Sequence, residues 1–120
     1  MSQRLVKGHF GEQLASNYLA RKGYQIISAN FHSRYGEIDL VATYKNKLIF
    51  IEVKTRLNTK FGTPQEAVNY FKLKSLTKTA QYFKLLHPKL PESMQIDVVA
   101  IRLDENEKPV SIEHLENVTG

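Results

Sequence analysis

Three acidic residues and a lysine stand among the apolar residues of two adjoining runs of the chain. Glu37 and Asp39 lie in the run GEIDLVATY, and Glu52 and Lys54 lie in the run KLIFIEVKTR. Strands usually avoid these residue types. Carboxylate oxygens are the ligands that Mg²⁺ prefers, and an ammonium group can stabilise negative charge that develops on a phosphate. The four residues could therefore hold a divalent metal ion and act on a phosphodiester.

The spacing predicts that these residues share one face of a β-hairpin. Strands are expected over residues 37–43 and 48–54, on either side of a polar turn. A two- or four-residue turn would place Asp39 opposite Glu52 and Glu37 opposite Lys54. Like charges that face each other directly are unfavourable, and a divalent cation between the carboxylates would offset this. The opposite face would be entirely apolar: Ile38, Leu40, Ala42, Ile49, Ile51 and Val53.

A simpler interpretation explains the same alternation. A hairpin with one solvated face is polar on that face for no functional reason, and Glu37 with Lys54 can be an ordinary ion pair. Two features favour a site. Val41 and Phe50 would share the acidic face, so that this face is partly covered, and cations are frequent in the surrounding sequence, at Arg34, Arg56, Lys60, Lys72 and Lys74.

The remaining sequence predicts one α/β domain over residues 1–120, in the order αβββαββ, with a mixed sheet and helices on its faces. A second helix ending near Leu86 begins either at a capping box, Thr63 to Glu66, or at a second cap, Asn69. Loops are expected over 30–36 and 55–63. The other predicted elements are a helix over 5–22 and strands over 24–29, 95–103 and 110–115.

Composition excludes several classes of protein. The chain has no cysteine, so neither a disulfide framework nor a thiolate zinc site is possible. The net charge of +5 mildly favours a polyanionic partner such as nucleic acid. No apolar run has the length of a membrane span, and the first residues lack the apolar core of a secretory signal. We therefore expect a cytoplasmic protein with no membrane partner.

The motif Asp39 followed by Glu52-Val53-Lys54 resembles the signature of the PD-(D/E)XK nuclease superfamily, with Ile38 in place of the signature's proline. A wider match, over roughly residues 7–115, resembles the YraN-like family of small bacterial proteins. The chain departs from that family at His32, where arginine is more usual, at Gln95-Ile96, where Arg-Phe is usual, and after Leu115, where the usual closing aromatic is missing. The matching positions are 8, 11–12, 15, 18–19, 23–24, 30, 34, 36–40, 52–56, 61–62, 64, 72, 80 and 97–99.

This resemblance implies a restriction-endonuclease-like fold, similar to that of the archaeal Holliday-junction resolvases. It implies an endonuclease that depends on Mg²⁺ or Mn²⁺ and cuts nucleic acid, DNA rather than RNA, with branched DNA and a homodimer as further expectations. A non-catalytic nucleic-acid-binding module with the same fold is the alternative. A protein-interaction scaffold is a third interpretation.

The resemblance also assigns roles. Asp39, Glu52 and Glu12 would be the metal ligands, and together with Lys54 they would be the catalytic residues. Glu12 stands beside the apolar stripe of the first helix, where it could also be an ordinary helix acid. Glu37 would either support the site from outside the metal shell or be structural. The residues expected to contact phosphates are Arg34, Arg56, Lys60, Lys72 and Lys74.

Aromatic residues and histidines carry weaker expectations. Tyr70, Tyr82 and Phe83 are predicted to lie in the core rather than to stack on bases. The four histidines are scattered along the sequence and show no spacing that is typical of a zinc site. They are His9, His32, His87 and His114.

Overall fold

The computed structural model describes residues 3–57 and 69–119, with side chains described from Phe10 onward. It confirms the predicted fold class, a central mixed sheet flanked by helices in the order αβββαββ. The elements are α1 (Gln3–Arg21), β1 (Gln25–Ser33), β2 (Gly36–Tyr44), β3 (Lys47–Arg56), α2 (Tyr70–Leu86), β4 (Met94–Leu103) and β5 (Pro109–Leu115). The prediction of a single domain over 1–120 includes residues outside these ranges and stays a prediction.

The five strands lie in the order β1-β2-β3-β4-β5. The first three form an antiparallel meander, whereas β3 and β4 run parallel and β5 returns antiparallel to β4. A parallel pair needs a crossover connection, and α2 lies in that connection. The central strand β3 therefore has a neighbour on each side, and the chain segment that contains α2 begins at its carboxyl end.

Each face of the sheet is covered by one helix. One apolar cluster joins Ala15 and Leu19 of α1 to Ile49 and Ile51 of β3. The other joins Leu76, Ala80 and Phe83 of α2 to Leu48 and Phe50 of the same strand. Because β3 is buried on both faces, its sequence is an almost continuous apolar run. Alternation places Glu52, two residues after Phe50, on the face that α2 covers.

Two glycines allow the flanking elements to approach closely. Gly36 has a φ of +143°, and a Cβ there would lie 2.6 Å from the hydroxyl oxygen of Ser75 in α2. A Cβ at Gly11 would collide with the hydroxyl group of Thr55. The turn between β1 and β2 is thus held against α2, and α1 is held against the carboxyl end of β3.

The predicted loop over 30–36 is wrong except at residues 34 and 35, since β2 already begins at Gly36. Strand β1 continues to Ser33, with Phe31 paired to Ile38 and His32 paired to Glu37. A register shift between Ile26 and Ser28 allows this pairing to continue. The ring of Phe31 also packs edge to face on Phe83, with centroids 5.0 Å apart. Sheet pairing and this packing override the turn-forming residue types of the segment.

The start of α2 follows the second of the two alternatives. Asn69 is the N-cap, since its side-chain oxygen accepts the backbone N–H of Lys72 at 2.9 Å. The capping box proposed at Thr63 to Glu66 lies outside the described residues. A start at Asn69 places Lys72 in the first turn of the helix.

Candidate active site

The ladder between β2 and β3 opens at Asp39. Val41 pairs with Phe50 and Thr43 with Leu48, as predicted, but the ladder ends at the pair Leu40–Ile51. Beyond that pair, the backbone ladder of β2 continues only with β1, and that of β3 only with β4. The predicted backbone pairs of Asp39 with Glu52 and of Glu37 with Lys54 are therefore wrong.

The carboxylate of Asp39 replaces the missing ladder bond. Its Oδ2 accepts the backbone N–H of Val53 at 2.7 Å. Ile38 packs in the α2-side cluster with Val41, whereas Leu40 packs in the α1-side cluster, so the alternation of β2 breaks next to Asp39. The prediction that Ile38 shares a face with Leu40 is wrong for this reason. The break directs the carboxylate of Asp39 toward β3 and fixes one of its oxygens.

Glu52 is a buried carboxylate with two ammonium groups beside it. The residue is 5 % exposed. Its Oε1 lies 3.5 Å from Nζ of Lys54 on the same strand and 3.6 Å from Nζ of Lys72 on α2. Alternation predicts the neighbourhood of Lys54. The contact with Lys72 depends on how α2 docks, and sequence reasoning had assigned Lys72 only to phosphate contact.

Burial raises the pKa of both carboxyl groups. For Asp39, burial outweighs the hydrogen bond from Val53 and the charges of Lys72 and Lys54, which lower its pKa. For Glu52, burial acts first and the negative charge of Asp39 adds to it, against the same two lysines. The charge of Asp39 thus disfavours the ionised form of Glu52. These two carboxylates offer hard-oxygen donors, and a cation would offset that repulsion, so the donor set fits Mg²⁺ or Mn²⁺.

The third predicted ligand, Glu12, is half-buried on α1. It follows Gly11, which lies directly against Thr55, so α1 places Glu12 near the carboxyl end of β3. Among the residues that the structure describes, Glu12, Asp39 and Glu52 do not form a group with donor atoms within 4.8 Å of one another. The role of Glu12 in metal binding stays a prediction.

Glu37 lies apart from the other two acids. Its carboxylate contacts Nδ1 of His32 at 3.2 Å, and both side chains are exposed, His32 on the edge strand β1 and Glu37 on β2. The simpler interpretation, an ion pair between Glu37 and Lys54, is therefore wrong, since Glu37 contacts His32 on the neighbouring strand. This makes Glu37 a useful control for charge removal near the site.

The cations that were predicted to contact phosphates are spread around the site. Arg34 is exposed in the turn after β1, where its guanidinium donates to the hydroxyl of Tyr35 at 2.7 Å. Arg56 is exposed at the end of β3, and Lys74 is exposed on α2. Lys60 lies outside the residues that the structure describes. Only Lys72, of those described, contacts one of the two predicted ligands Asp39 and Glu52.

The aromatic predictions hold for one residue of three. Phe83 is 2 % exposed and belongs to the core, whereas Tyr82 is only half-buried. Tyr70 is 70 % exposed, so its assignment to the core is wrong. It is the first residue of α2, where the helix has not yet reached the sheet residues that bury Leu76 and Phe83.

A second polar cluster lies on the other face of the sheet, around Asp97. This carboxylate is fully buried and pairs on β4 beside Ile51 of the α1-side core. It accepts hydrogen bonds from Nε2 of Gln95 at 2.9 Å and from the backbone N–H of Asn117 at 2.9 Å. Its other oxygen lies 2.8 Å from Nε2 of His114.

This cluster has the ligand types of a metal site. Donor atoms of Asp97, His114 and Glu116 lie within 4.8 Å of one another. No histidine spacing in the sequence predicted this, since the three residues come together only through the pairing of β4 with β5. Protein donors already occupy both oxygens of Asp97, and Nδ1 of His114 lies 2.8 Å from Nζ of Lys22. The arrangement fastens the end of α1 and the chain after β5 to the sheet.

Comparison with known proteins gives one consistent family. The sequence pattern described as "Uncharacterised protein family UPF0102" matches residues 11–101. A UPF0102 protein of Thermodesulfovibrio yellowstonii is 44 % identical over 115 residues, which are 95 % of this chain and 96 % of that protein. One from Alkaliphilus oremlandii is 42 % identical over 113 residues, 92 % and 94 % of the two chains. One from Syntrophomonas wolfei is 42 % identical over 104 residues, 87 % and 90 %.

Within the described ranges, neither α1 nor α2 is long and apolar enough to cross a membrane.

The raised pKa of Glu52 predicts how stability depends on pH in metal-free protein. Its pKa when folded lies above the ordinary value of 4.5, so the folded state holds the proton more tightly than the unfolded state. Wild type should therefore lose stability relative to Glu52→Gln as the pH rises through the range above 4.5. Urea denaturation at pH 4 to 8 measures this difference, and Glu37→Gln is the matched exposed control. A difference that is independent of pH would contradict the prediction.

A second prediction concerns the buried cluster on the other face. Asp97→Ala should lower the free energy of unfolding by about 3 kcal/mol, because His114, Gln95 and the N–H of Asn117 lose their buried acceptor. Asp97→Asn keeps one acceptor oxygen and should cost less. Urea denaturation measures both, with the exposed Glu113→Ala expected to stay within about 0.5 kcal/mol of wild type. A loss below about 1 kcal/mol in Asp97→Ala would show that the cluster does not fasten the fold.

Proposed function

The chain belongs to the UPF0102 family, and we propose that it is a divalent-metal-dependent endonuclease that hydrolyses phosphodiester bonds in nucleic acid. The observation that carries the proposal is that the half-buried carboxylate of Asp39 and the buried carboxylate of Glu52 lie with Lys54 where the β2–β3 ladder opens. This is the acid, acid and lysine set of the PD-(D/E)XK nucleases, which the sequence resembles.

Each residue of the set has a physical task. Asp39 presents a carboxylate whose direction the N–H of Val53 holds, and Glu52 presents a second one beside it. These two oxygens would hold Mg²⁺ or Mn²⁺, which when bound stabilises charge on the phosphate and activates water. Lys54 would orient that water or stabilise charge that develops on the phosphorus oxygens. Lys72, which lies beside the carboxylate of Glu52 as Lys54 does, would add a second positive charge near the phosphate.

The charge of the whole chain supports a nucleic acid as the substrate. The net charge is +5, and Arg56 and Lys74 are exposed on the elements that carry the site. Such residues bind phosphates through charge and through the release of counterions rather than by reading bases. DNA as the preferred nucleic acid, a branched substrate, a homodimer and a cytoplasmic location stay predictions.

One observation favours a second candidate, a non-catalytic nucleic-acid-binding module. Two lysines already lie within 3.6 Å of the buried carboxylate of Glu52. That carboxylate therefore has counter-charges even without a metal ion. In a binding module, Arg56, Lys72 and Lys74 would still contact phosphates, and no bound metal would be needed.

The decisive experiment combines metal binding with cleavage. Isothermal titration of Mg²⁺ and Mn²⁺ into wild type should show binding that is lost in Asp39→Asn and kept in Glu37→Gln. On flapped, branched and linear DNA and on RNA, Glu52→Gln should lower the cleavage rate by about 100-fold or more while nucleic-acid binding is kept. The Asn and Gln variants are close in size to the acids, so the fold is preserved.

The outcomes separate the two candidates. Cleavage that survives in a Glu52→Gln, Lys54→Ala double variant would exclude the nuclease proposal for this site. Wild type that binds nucleic acid with a strong dependence on salt, but neither binds metal nor cleaves, would instead support the binding module. Wild type without either activity would exclude both and leave a protein-interaction scaffold.

A further inference from the structure

Two aromatic side chains are left in solvent at the start of α2. Tyr70 is 70 % exposed and Phe71 is 78 % exposed. Their rings contact each other edge to face, with centroids 5.5 Å apart and an interplanar angle of 76°. Single exposed apolar residues are common, whereas two adjacent exposed rings in contact form a continuous aromatic surface that is open to a ligand.

The aromatic pair directly precedes a residue that contacts the candidate active site. The next residue in the chain is Lys72, whose Nζ is 3.6 Å from the carboxylate of Glu52. A ligand that lies along the first turn of α2 and contacts the rings is therefore next to Lys72, the residue whose side chain reaches the carboxylate of Glu52. The pair is placed to contact the part of a substrate that flanks the reacting phosphate.

The surroundings of the rings are cationic. Phe71, Lys74 and Lys78 are all exposed and recur at i, i+3 and i+7, which places them on one outer face of α2. The helix, YFKLKSLTKTAQYFKLL, contains no acidic residue. Aromatic rings interleaved with lysines are complementary to a chain that carries both negative charge and flat apolar groups.

Nucleic acid with unpaired bases has this combination. Its phosphates are contacted by cations, and its exposed base faces stack on aromatic side chains whatever the sequence. In an intact duplex the base faces are covered by neighbouring base pairs, so the rings would have nothing to stack on. The phosphates of a duplex can still contact the lysines, which makes duplex binding possible but independent of the rings.

We propose that Tyr70 and Phe71 form a stacking platform for unpaired bases, so that the substrate of the active site is nucleic acid with single-stranded nucleotides next to the reacting phosphate. This inference rests on the proposed function for the cleavage step only. Binding of a single strand to the platform can be measured without any cleavage. A flap, a splayed end or an unpaired junction arm would satisfy the same requirement.

The binding experiment uses the full chain in a metal-chelating buffer. Fluorescence anisotropy compares a labelled oligothymidine with a blunt duplex of equal length for wild type and for Tyr70→Ala, Phe71→Ala. We expect single-strand affinity to fall about 10-fold or more, while duplex affinity changes less than about 2-fold. The salt slope of the remaining binding should be unchanged, because no phosphate contact is removed.

Control variants separate stacking from general apolar contact. Leu85 and Leu86 are also exposed, at 77 % and 51 %, but lie at the other end of the same helix. Leu85→Ala, Leu86→Ala should leave single-strand affinity unchanged. Phe71→Trp should retain the affinity and Phe71→Leu should lose part of it, since leucine keeps apolar surface without a π face.

Several results would overturn the platform. They are undetectable oligothymidine binding by wild type, unchanged affinity in the double alanine variant, equal losses for single strand and duplex, or full retention in Phe71→Leu. A surface that serves a protein partner predicts unchanged single-strand affinity in the double alanine variant.

If wild type cleaves DNA and the alanine variant retains its preference for flapped over blunt substrate, the platform fails while the nuclease stands. If single-strand affinity falls as expected and no substrate is cleaved, the nuclease fails while the platform stands.

Discussion

The hydrogen bond from the N–H of Val53 to the carboxylate of Asp39 is the constraint on which the site depends. A buried backbone N–H must find an acceptor, and β3 has lost its ladder partner on this side beyond Ile51. Asp39 supplies the acceptor from a side chain. This converts a break in the sheet, which would otherwise cost stability, into a carboxylate with a fixed direction. On its other side β3 remains paired with β4 as far as Arg56, so the break does not loosen the strand that carries Glu52.

The charges of the site depend on how α2 packs. Leu76 and Phe83 fasten this helix to the sheet, and the absence of a side chain at Gly36 lets the β1–β2 turn approach Ser75. This docking brings Lys72 to the same oxygen of Glu52 that Lys54 contacts from the strand. Burial raises the pKa of the half-buried Asp39 and the buried Glu52, and the negative charge of Asp39 raises that of Glu52 further. Cations from two separate elements, Lys54 and Lys72, offset part of both shifts.

The two faces of the sheet show that residue types alone do not identify a site. Asp97 and His114 on the α1 face are as suited to metal binding as Asp39 and Glu52 on the other. The difference lies in their partners. Both oxygens of Asp97 are engaged by protein donors, and burial of that residue is complete. Asp39 and Glu52 instead keep an unfavourable joint charge, which is the property that a bound cation would relieve.

The sequence by itself determined the order of elements, the hairpin around Val41 and Phe50, and the place of Glu52 and Lys54 on one face. These depend on local geometry, since side chains alternate along a strand and the length of the turn sets the register. Only the tertiary structure decided that the ladder opens at Asp39, that β1 extends to Ser33, that Lys72 reaches Glu52 and that Tyr70 remains exposed. Each of these depends on contacts between segments distant in the chain. The spacing of apolar residues shows which face of a helix packs against the sheet. It does not show where on the sheet the helix docks, because packing between distant segments decides that position.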